Sequence, residues 1–219
     1  MLVAVMVGLV GTQFYRYSHP SIEPLSPEVL SQYGAVLYQA PRAIPEVALI
    51  TQDDQPFDFS ALQGQWSLLN FGFTQCADIC PVNMVQINQT QQRLLDLQMP
   101  SIGKFLVTLD PERDTTAVLK AYIQGFGAHW TAMRVEEPGL TAFAQSLNTV
   151  FFIDKSIGHG DHGYTVDHSD NLVLINPDGK MVGIFRPPHT PVAMAAVISN
   201  LMKLAWNEVK LDVETTYDS

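Results

Sequence analysis

Both cysteines of the chain lie within five residues, in CADICP, Cys76 to Pro81, directly behind the apolar run WSLLNFGFT. Within one helical turn a Cys-x-x-x-Cys pair is an i,i+4 pair, with Cβ atoms about 5–6 Å apart and both sulfurs on one side. Two soft thiolates so placed suit Cu(I), and an added imidazole extends the set to Cu(II) or to an open zinc site. A disulfide needs Cβ atoms about 3.5–4.5 Å apart, so closing one requires the segment to adjust. Redox pairs commonly use the shorter Cys-x-x-Cys spacing, and the extra residue here shifts the balance toward metal capture. Six histidines could supply a third ligand, and spacing alone does not choose among His19, His129, His159, His162, His168 and His189.

The elements around the pair say where it sits. WSLLNFGFT is a near-continuous apolar run of strand length, which marks a strand covered on both faces. A polar-rich helix is expected from Pro81 to about Leu97, with proline at a first-turn position where its missing N–H costs nothing. KFLVTLD is a second buried strand. In DPERDTTAVLKAYIQGFG, Asp114 is a candidate cap for a helix whose Val118, Leu119, Tyr122, Ile123 and Phe126 share a face. A third helix is expected through Leu140, Phe143, Leu147 and Phe151, followed by the glycine-rich loop DKSIGHGDHGY. His168 then opens a strand, and NPDG signals a hairpin. Thr190 is placed to cap a final helix along Met194, Ile198, Leu201 and Ala205. EVALITQDDQPFDFSAL reads as a leading hairpin and a helical turn.

This order, β-α-β-α-(α)-β-β-α, predicts an α/β fold. Its mixed central sheet would have two crossover-linked parallel strands, an antiparallel hairpin and helices on both faces, which is the thioredoxin plan. Cys76 and Cys80 would then stand where a strand feeds a helix N-terminus, whose exposed N–H groups favour thiolate.

The 219 residues suffice for a core without staples. A net charge of −10, from 12 basic against 22 acidic residues, argues against a nucleic-acid partner. MLVAVMVGLVGTQFY has no charged side chain before Arg16 and reads as a membrane anchor or a signal-peptide core, with a helix packed in a soluble core as the remaining alternative. The absence of an A-x-A-like cleavage site favours the anchor. The expected organisation is an anchor over residues 1–17, a tether over 18–44, one domain over 45–209 and a tail over 210–219.

Four segments, FGFTQCADICP, LDPERDT, VDHS and NPDGK, occur in this order and at separations that resemble the SCO/SenC copper proteins, over about Pro45 to Leu204. The combination is far more specific than CxxxC alone. The resemblance implies a thioredoxin domain on an N-terminal membrane anchor that assists assembly of the copper site of cytochrome c oxidase. It implies one copper ion, Cu(I) or Cu(II), held by Cys76, Cys80 and His168. Its implied partners are the oxidase's copper-binding subunit and a copper-donor protein. The expected location is a bacterial inner membrane with the domain in the periplasm. Ala77 departs from the proline that often follows the family's first cysteine, and a looser loop there would ease disulfide closure. Asp78 and Asp167 flank the implied ligands, as solvated carboxylates or as groups that orient His168 and tune the thiolates.

A reading of another class is a membrane-tethered thiol:disulfide oxidoreductase in which Cys76 attacks and Cys80 resolves, acting on the copper-ligand cysteines of an oxidase subunit. The peroxiredoxin spacing Thr-x-x-Cys is absent, and three ligands do not close a structural zinc site. No Met-x-x-Met run suggests a methionine copper surface. A pair of histidines on the glycine loop, His159 and His162, would lose ordering entropy before binding anything.

Overall fold

The computed structural model describes residues 23–155 and 164–217, with side chains as far as residue 205. The anchor over residues 1–17, together with His19, His159 and His162, falls outside the described residues. Among the described residues no helix is long and apolar enough to cross a membrane. The chain divides into two compact units. One is residues 26–199; the other includes residues 23–25 with 200–217. In the smaller unit the Asn200 side chain accepts from the Leu25 amide (3.3 Å) and donates to the Glu23 carbonyl (2.9 Å).

The larger unit is built on a seven-stranded mixed sheet. A short helix α1 (Pro27–Gln32), capped by Ser26, leads into β1 (Ala35–Ala43). The short β2 (Ile50–Thr51) and a 3-10 turn at Phe59–Leu62 precede the central β3 (Ser67–Gly72). Next come α2 (Ile79–Asp96), β4 (Gly103–Thr108), α3 (Thr116–Gln124), β5 (Trp130–Arg134) and α4 (Gly139–Ser146). The remaining elements are β6 (Phe151–Asp154), β7 (Thr165–His168), β8 (Leu172–Ile175), β9 (Lys180–Phe185) and α5 (Pro191–Tyr217). The sheet order is β1-β9-β8-β3-β4-β5-β2, while β6 and β7 form a separate two-stranded ribbon.

β3, β4 and β5 are parallel neighbours, and β8 and β9 join antiparallel beside β3. Every residue of β3 and of β4 is buried, as their predominantly apolar character suits strands covered on both faces. Alternation divides the packing. Leu69, Phe71, Phe105 and Val107 join Leu140, Phe143 and Leu147 of and just after α4 in one cluster. On the opposite face Lys104 reaches Asn88 of α2 at 2.8 Å. The expected three-layer plan is the observed one, with the NPDG turn linking β8 to β9 as its residues require.

Several local expectations are corrected. The sheet starts before Pro45, because β1 pairs with β9 at Ala35–Leu37 and again at Arg42–Ala43 across a register break. Pro41 in that break lacks a ladder donor, which is tolerated only on an edge strand and hides the strand from a pattern reading. The helix after β4 is capped by Thr115, which accepts from Val118 N, not by Asp114. Phe151 begins β6 instead of continuing the helix of Leu140, and β5 is an additional strand of only five residues. His168 closes its strand instead of opening it. The final helix runs on to Tyr217, through most of the segment expected to be a tail. Thr190 does accept from its first turn, at Ala193 N.

The β1–β9 contact gives a stability prediction. A methyl group at Gly183 would lie 2.4 Å from the backbone oxygen of Val36, so Gly183→Ala must force the edge strand away. Overpacking of this kind costs about 1–3 kcal/mol. Thermal unfolding should shift down accordingly, with amide exchange at residues 35–37 accelerated; unchanged protection there would contradict the packing described.

Candidate metal centre

β3 delivers the chain to the site through Gly72, where the next helix comes very close. A methyl group at that position would sit 3.1 Å from Cys80 Sγ and 3.3 Å from Cys80 Cβ. Glycine therefore lets the first turn of α2 pack directly on the strand end. The intervening turn is fixed by Asp114, which is fully buried. Its carboxylate accepts from the Thr74 amide (3.0 Å), the Thr74 hydroxyl (2.5 Å) and the Thr108 hydroxyl (2.5 Å). Burial pushes the Asp114 carboxyl up from its usual range, and the donors from Thr108 and Thr74 work against that shift. The Cys76 amide donates to the Phe73 carbonyl at 3.2 Å.

α2 begins at Ile79, so Cys80 lies in its first turn and Cys76 precedes it. The pair is thus not spaced along one helical turn. Instead, Cys76 Sγ faces the helix N-terminus and accepts from the Cys80 amide at 3.4 Å. Cys76 is half-buried, Cys80 is 1% exposed, and both are free thiols.

His168 arrives from the β6–β7 ribbon, 88 positions along the chain from Cys80, with its Nε2 at 3.6 Å from Cys80 Sγ. Its Nδ1 lies 3.0 Å from the Ser169 carbonyl. A proton on Nδ1 satisfies that carbonyl and makes Nε2 the nitrogen that faces the sulfurs, a donor while the ring is charged and a free lone pair once it is neutral. The ring stands edge-on to Phe73, centroids 6.3 Å apart. Cys76, Cys80 and His168, the three residues selected from the sequence, are thereby brought to one place.

Their protons are shared unequally. Cys76 is lowered to about 4 by the hydrogen bond from Cys80, assisted by His168 and by the amides of Asp78 and Cys80, against the cost of burial. Cys80 is pushed up, first by that same bond to Cys76 and then by burial. The pair holds one proton between two sulfurs, with the charge on Cys76. Burial opposes a charged His168 ring, but its bonds to Cys76 and to the Ser169 carbonyl, with the charges of Cys76 and Asp170, raise its pKa above the ordinary value.

Among the described residues no three His, Cys, Asp or Glu side chains already form a metal-holding cluster. A sulfur at about 2.3 Å and a nitrogen at about 2.0–2.1 Å from one ion stand roughly 3.6–3.8 Å apart at tetrahedral to trigonal angles. The Cys80–His168 separation of 3.6 Å meets that requirement. The donor set of two sulfurs and an imidazole fits a soft or borderline first-row ion.

Other candidates fall away from the trio or change role. His129 is exposed. His189 is buried, with its Nε2 donating to the Asp170 carbonyl at 2.8 Å. Asp78 and Asp167 are exposed, and Asp78 makes no side-chain cap bond. The carboxylate packed behind His168 is Asp170, which a reading by flanking position does not find. Its carboxyl is opposed by burial yet held below the ordinary range by bonds from His189 and Asn83. Arg113 belongs to the LDPERDT motif, yet its type and spacing alone assign it no contact with the site. It pairs with buried Asp110 and donates to Gln75 Oε1 and to the Tyr164 carbonyl, both at 3.2 Å. It lies 3.7 Å over the Tyr164 ring, whose hydroxyl donates to Asp110 at 2.5 Å. The DPER segment thus ties the cysteine turn to the base of the histidine ribbon.

The model of the SCO1/SenC family matches residues 37–203. A putative copper-binding protein of Stutzerimonas stutzeri is 34% identical over 169 residues, covering 77% of this chain and 81% of that one. The mitochondrial SCO2 homologue of Mus musculus is 32% identical over 151 residues, 68% of this chain and 58% of that longer one. Of solved structures, copper-bound yeast Sco1 superposes with a TM-score of 0.67 at 23% identity, over 74% of this chain and 90% of that one. Copper-bound ScoI of Bradyrhizobium japonicum does so with a TM-score of 0.56 at 26% identity, over 72% and 94%.

The proton arrangement is open to titration. The reduced chain should carry one thiolate at neutral pH, and its ultraviolet thiolate absorbance should disappear only as the pH falls through about 4. Because the folded pKa is depressed, the stability this thiolate contributes is complete above the unfolded thiol's pKa, about 8.5, and is lost progressively as the pH falls from there through about 4. Cys76→Ser should abolish the low-pH step. Equal alkylation rates for the two thiols at neutral pH would contradict the assignment.

Proposed function

The chain belongs to the SCO1/SenC family, and from that premise we propose that it carries copper through Cys76, Cys80 and His168 and delivers it during assembly of the cytochrome c oxidase copper site. The observation that supports this most is the approach of His168 Nε2 to Cys80 Sγ, with Nδ1 occupied by the Ser169 carbonyl. Cys76 is already a thiolate, so loading copper displaces the one proton held by the sulfur pair, and a second when the His168 ring is charged. Cys76, half-exposed, is the ligand a partner can reach first, while Cys80 is enclosed. Release proceeds by exchange. A sulfur or nitrogen of the acceptor takes a coordination position as one ligand of the carrier leaves and regains its proton.

The partners in this reading are a copper-donor protein and the copper-binding subunit of the oxidase. The N-terminal segment holds the domain at a bacterial inner membrane, on the periplasmic side. The domain boundaries follow the sheet, from β1 into the first turns of α5.

The low pKa of half-exposed Cys76 beside a protonated, buried Cys80 supports a second activity at the same residues, thiol:disulfide exchange. Cys76 would attack a disulfide of the oxidase subunit and Cys80 would displace the mixed disulfide. The Cys76 thiolate releases one partner sulfur as it attacks, and Cys80 gives up its proton as it attacks Cys76 Sγ and releases the other. The partner gains two electrons, with one proton from Cys80 and one from water, as its copper-ligand cysteines are freed, and Cys76–Cys80 becomes the disulfide.

Copper titration of the reduced full chain under nitrogen tests the carrier. One copper per chain is expected, with X-ray absorption reporting two sulfur neighbours and a nitrogen. Cys76→Ser and Cys80→Ser should abolish tight binding, and affinity should fall as the pH drops, because thiols and ring must lose their protons. His168→Ala should weaken Cu(II) far more than Cu(I), which two thiolates alone can hold. Equal stoichiometry and affinity in His168→Ala and the parent for both oxidation states would remove His168 from the site. The exchange activity, by contrast, should survive that substitution.

A further inference from the structure

His168 ends a two-stranded ribbon that pairs with no strand of the main sheet. Such a ribbon is marginal in isolation, so its own ladder cannot hold the ring against α2. The three residues after His168 can. Ser169 N donates to the Val150 carbonyl at 2.8 Å, and Asn171 Nδ2 to the Asn148 carbonyl at 3.0 Å. Between them, Asp170 makes the link's bond to α2. Its Oδ1 accepts from Asn83 Nδ2 at 2.5 Å. Asn83 is 2% exposed, so this amide has no water to turn to. From the other side His189 closes on Asp170, with Nε2 at 2.8 Å from its carbonyl and 3.6 Å from its carboxylate.

The spacing makes two parallel contacts. Cys80 and Asn83 are i,i+3 on one helix and share a face. His168 and Asp170 are two residues apart on the opposing segment. Cys80 meets His168, and one helical turn further on Asn83 meets Asp170. A displacement at the second contact is carried to the first over only two residues of backbone.

Resting on the ligand assignment proposed above, we infer that Asp170 is a positioning residue: with Asn83 and His189 it fixes the distance of the His168 ring from the Cys80 sulfur. Its effect is selective between copper states. Cu(I) retains two thiolates when the ring wanders, whereas Cu(II) loses the imidazole it requires. A general loss of folding would lower both alike.

The test uses the reduced full chain as parent, Asp170→Ala, Asn83→Asp, the exchange Asn83→Asp with Asp170→Asn, and His168→Ala. Cu(II) and Cu(I) affinities are measured by chelator competition. A second readout, free of copper, is the proton NMR shift of the His168 ring, displaced in the parent by the edge-on ring of Phe73. Asp170→Ala removes the acceptor, and Asn83→Asp sets two carboxylates against each other. Each should weaken Cu(II) roughly tenfold or more, the usual effect of removing a partner behind a ligand, and leave Cu(I) nearly unchanged. The His168 ring shift should move toward that of free imidazole. The exchange variant rebuilds a donor and an acceptor in reversed order and should recover both readouts.

Parental Cu(II) affinity and ring shift in Asp170→Ala and Asn83→Asp would overturn the inference. So would equal losses of Cu(I) and Cu(II), or failure of the exchange variant to recover while folded. If His168→Ala binds Cu(II) as the parent does, the ligand assignment fails instead, and the metal-free ring shift alone then decides whether Asp170 holds the ring.

Discussion

The separation between Cys80 Sγ and His168 Nε2 is held between two parts of the chain that share no strand pairing. One is the junction of β3 with α2, rigid because its strand is buried on both faces and its turn is bound to Asp114. The other is a ribbon beside the sheet. Among the described residues, polar connections between them run through Arg113, between Gln75 and Tyr164, and through Asp170, between Asn83 and His189. Polar links contribute modest net stability, yet leaving a buried partner such as the Asn83 amide unsatisfied is expensive, so the Asp170 link holds a geometry better than it holds a fold.

Within the trio, burial divides the work. Cys80 is enclosed against Gly72 and keeps a proton; Cys76 stands at the open end of the helix and carries the charge. The same asymmetry would suit the proposed ion capture and nucleophilic attack alike, since both begin with a reachable sulfur anion. A second sulfur within reach then completes either process. This is the physical reason that a carrier and an exchanger can occupy one pair of residues.

The sequence makes the sheet's centre and the place of the cysteines legible, because β3 and β4 are near-continuous apolar runs and the thiols follow closely on the first of them. NPDG marks its hairpin for the same reason, a local turn chemistry. The edge strand β1 and the short β5 are not legible: the first is interrupted at Pro41, and the second is too short to show a period. In the site, His168 emerges from a resemblance between motifs, since one imidazole in six carries no distinguishing pattern. Asp114 has the composition of a helix cap, and only the fold reveals Thr74 and Thr108 around it. Asp170 and Asn83 lie 87 residues apart, and no local rule relates them.

The interrupted edge at β1 has a bearing on how other molecules can approach. Regular pairing with β9 stops at Leu37 and resumes at Arg42, Pro41 offers no N–H, and the Arg42 guanidinium lies 3.9 Å over the Tyr38 ring. An incoming peptide finds no continuous row of donors and acceptors there, and a cation guards the gap. Augmentation of the sheet by a foreign strand is disfavoured along that stretch, as edge prolines and cations generally disfavour edge-to-edge association.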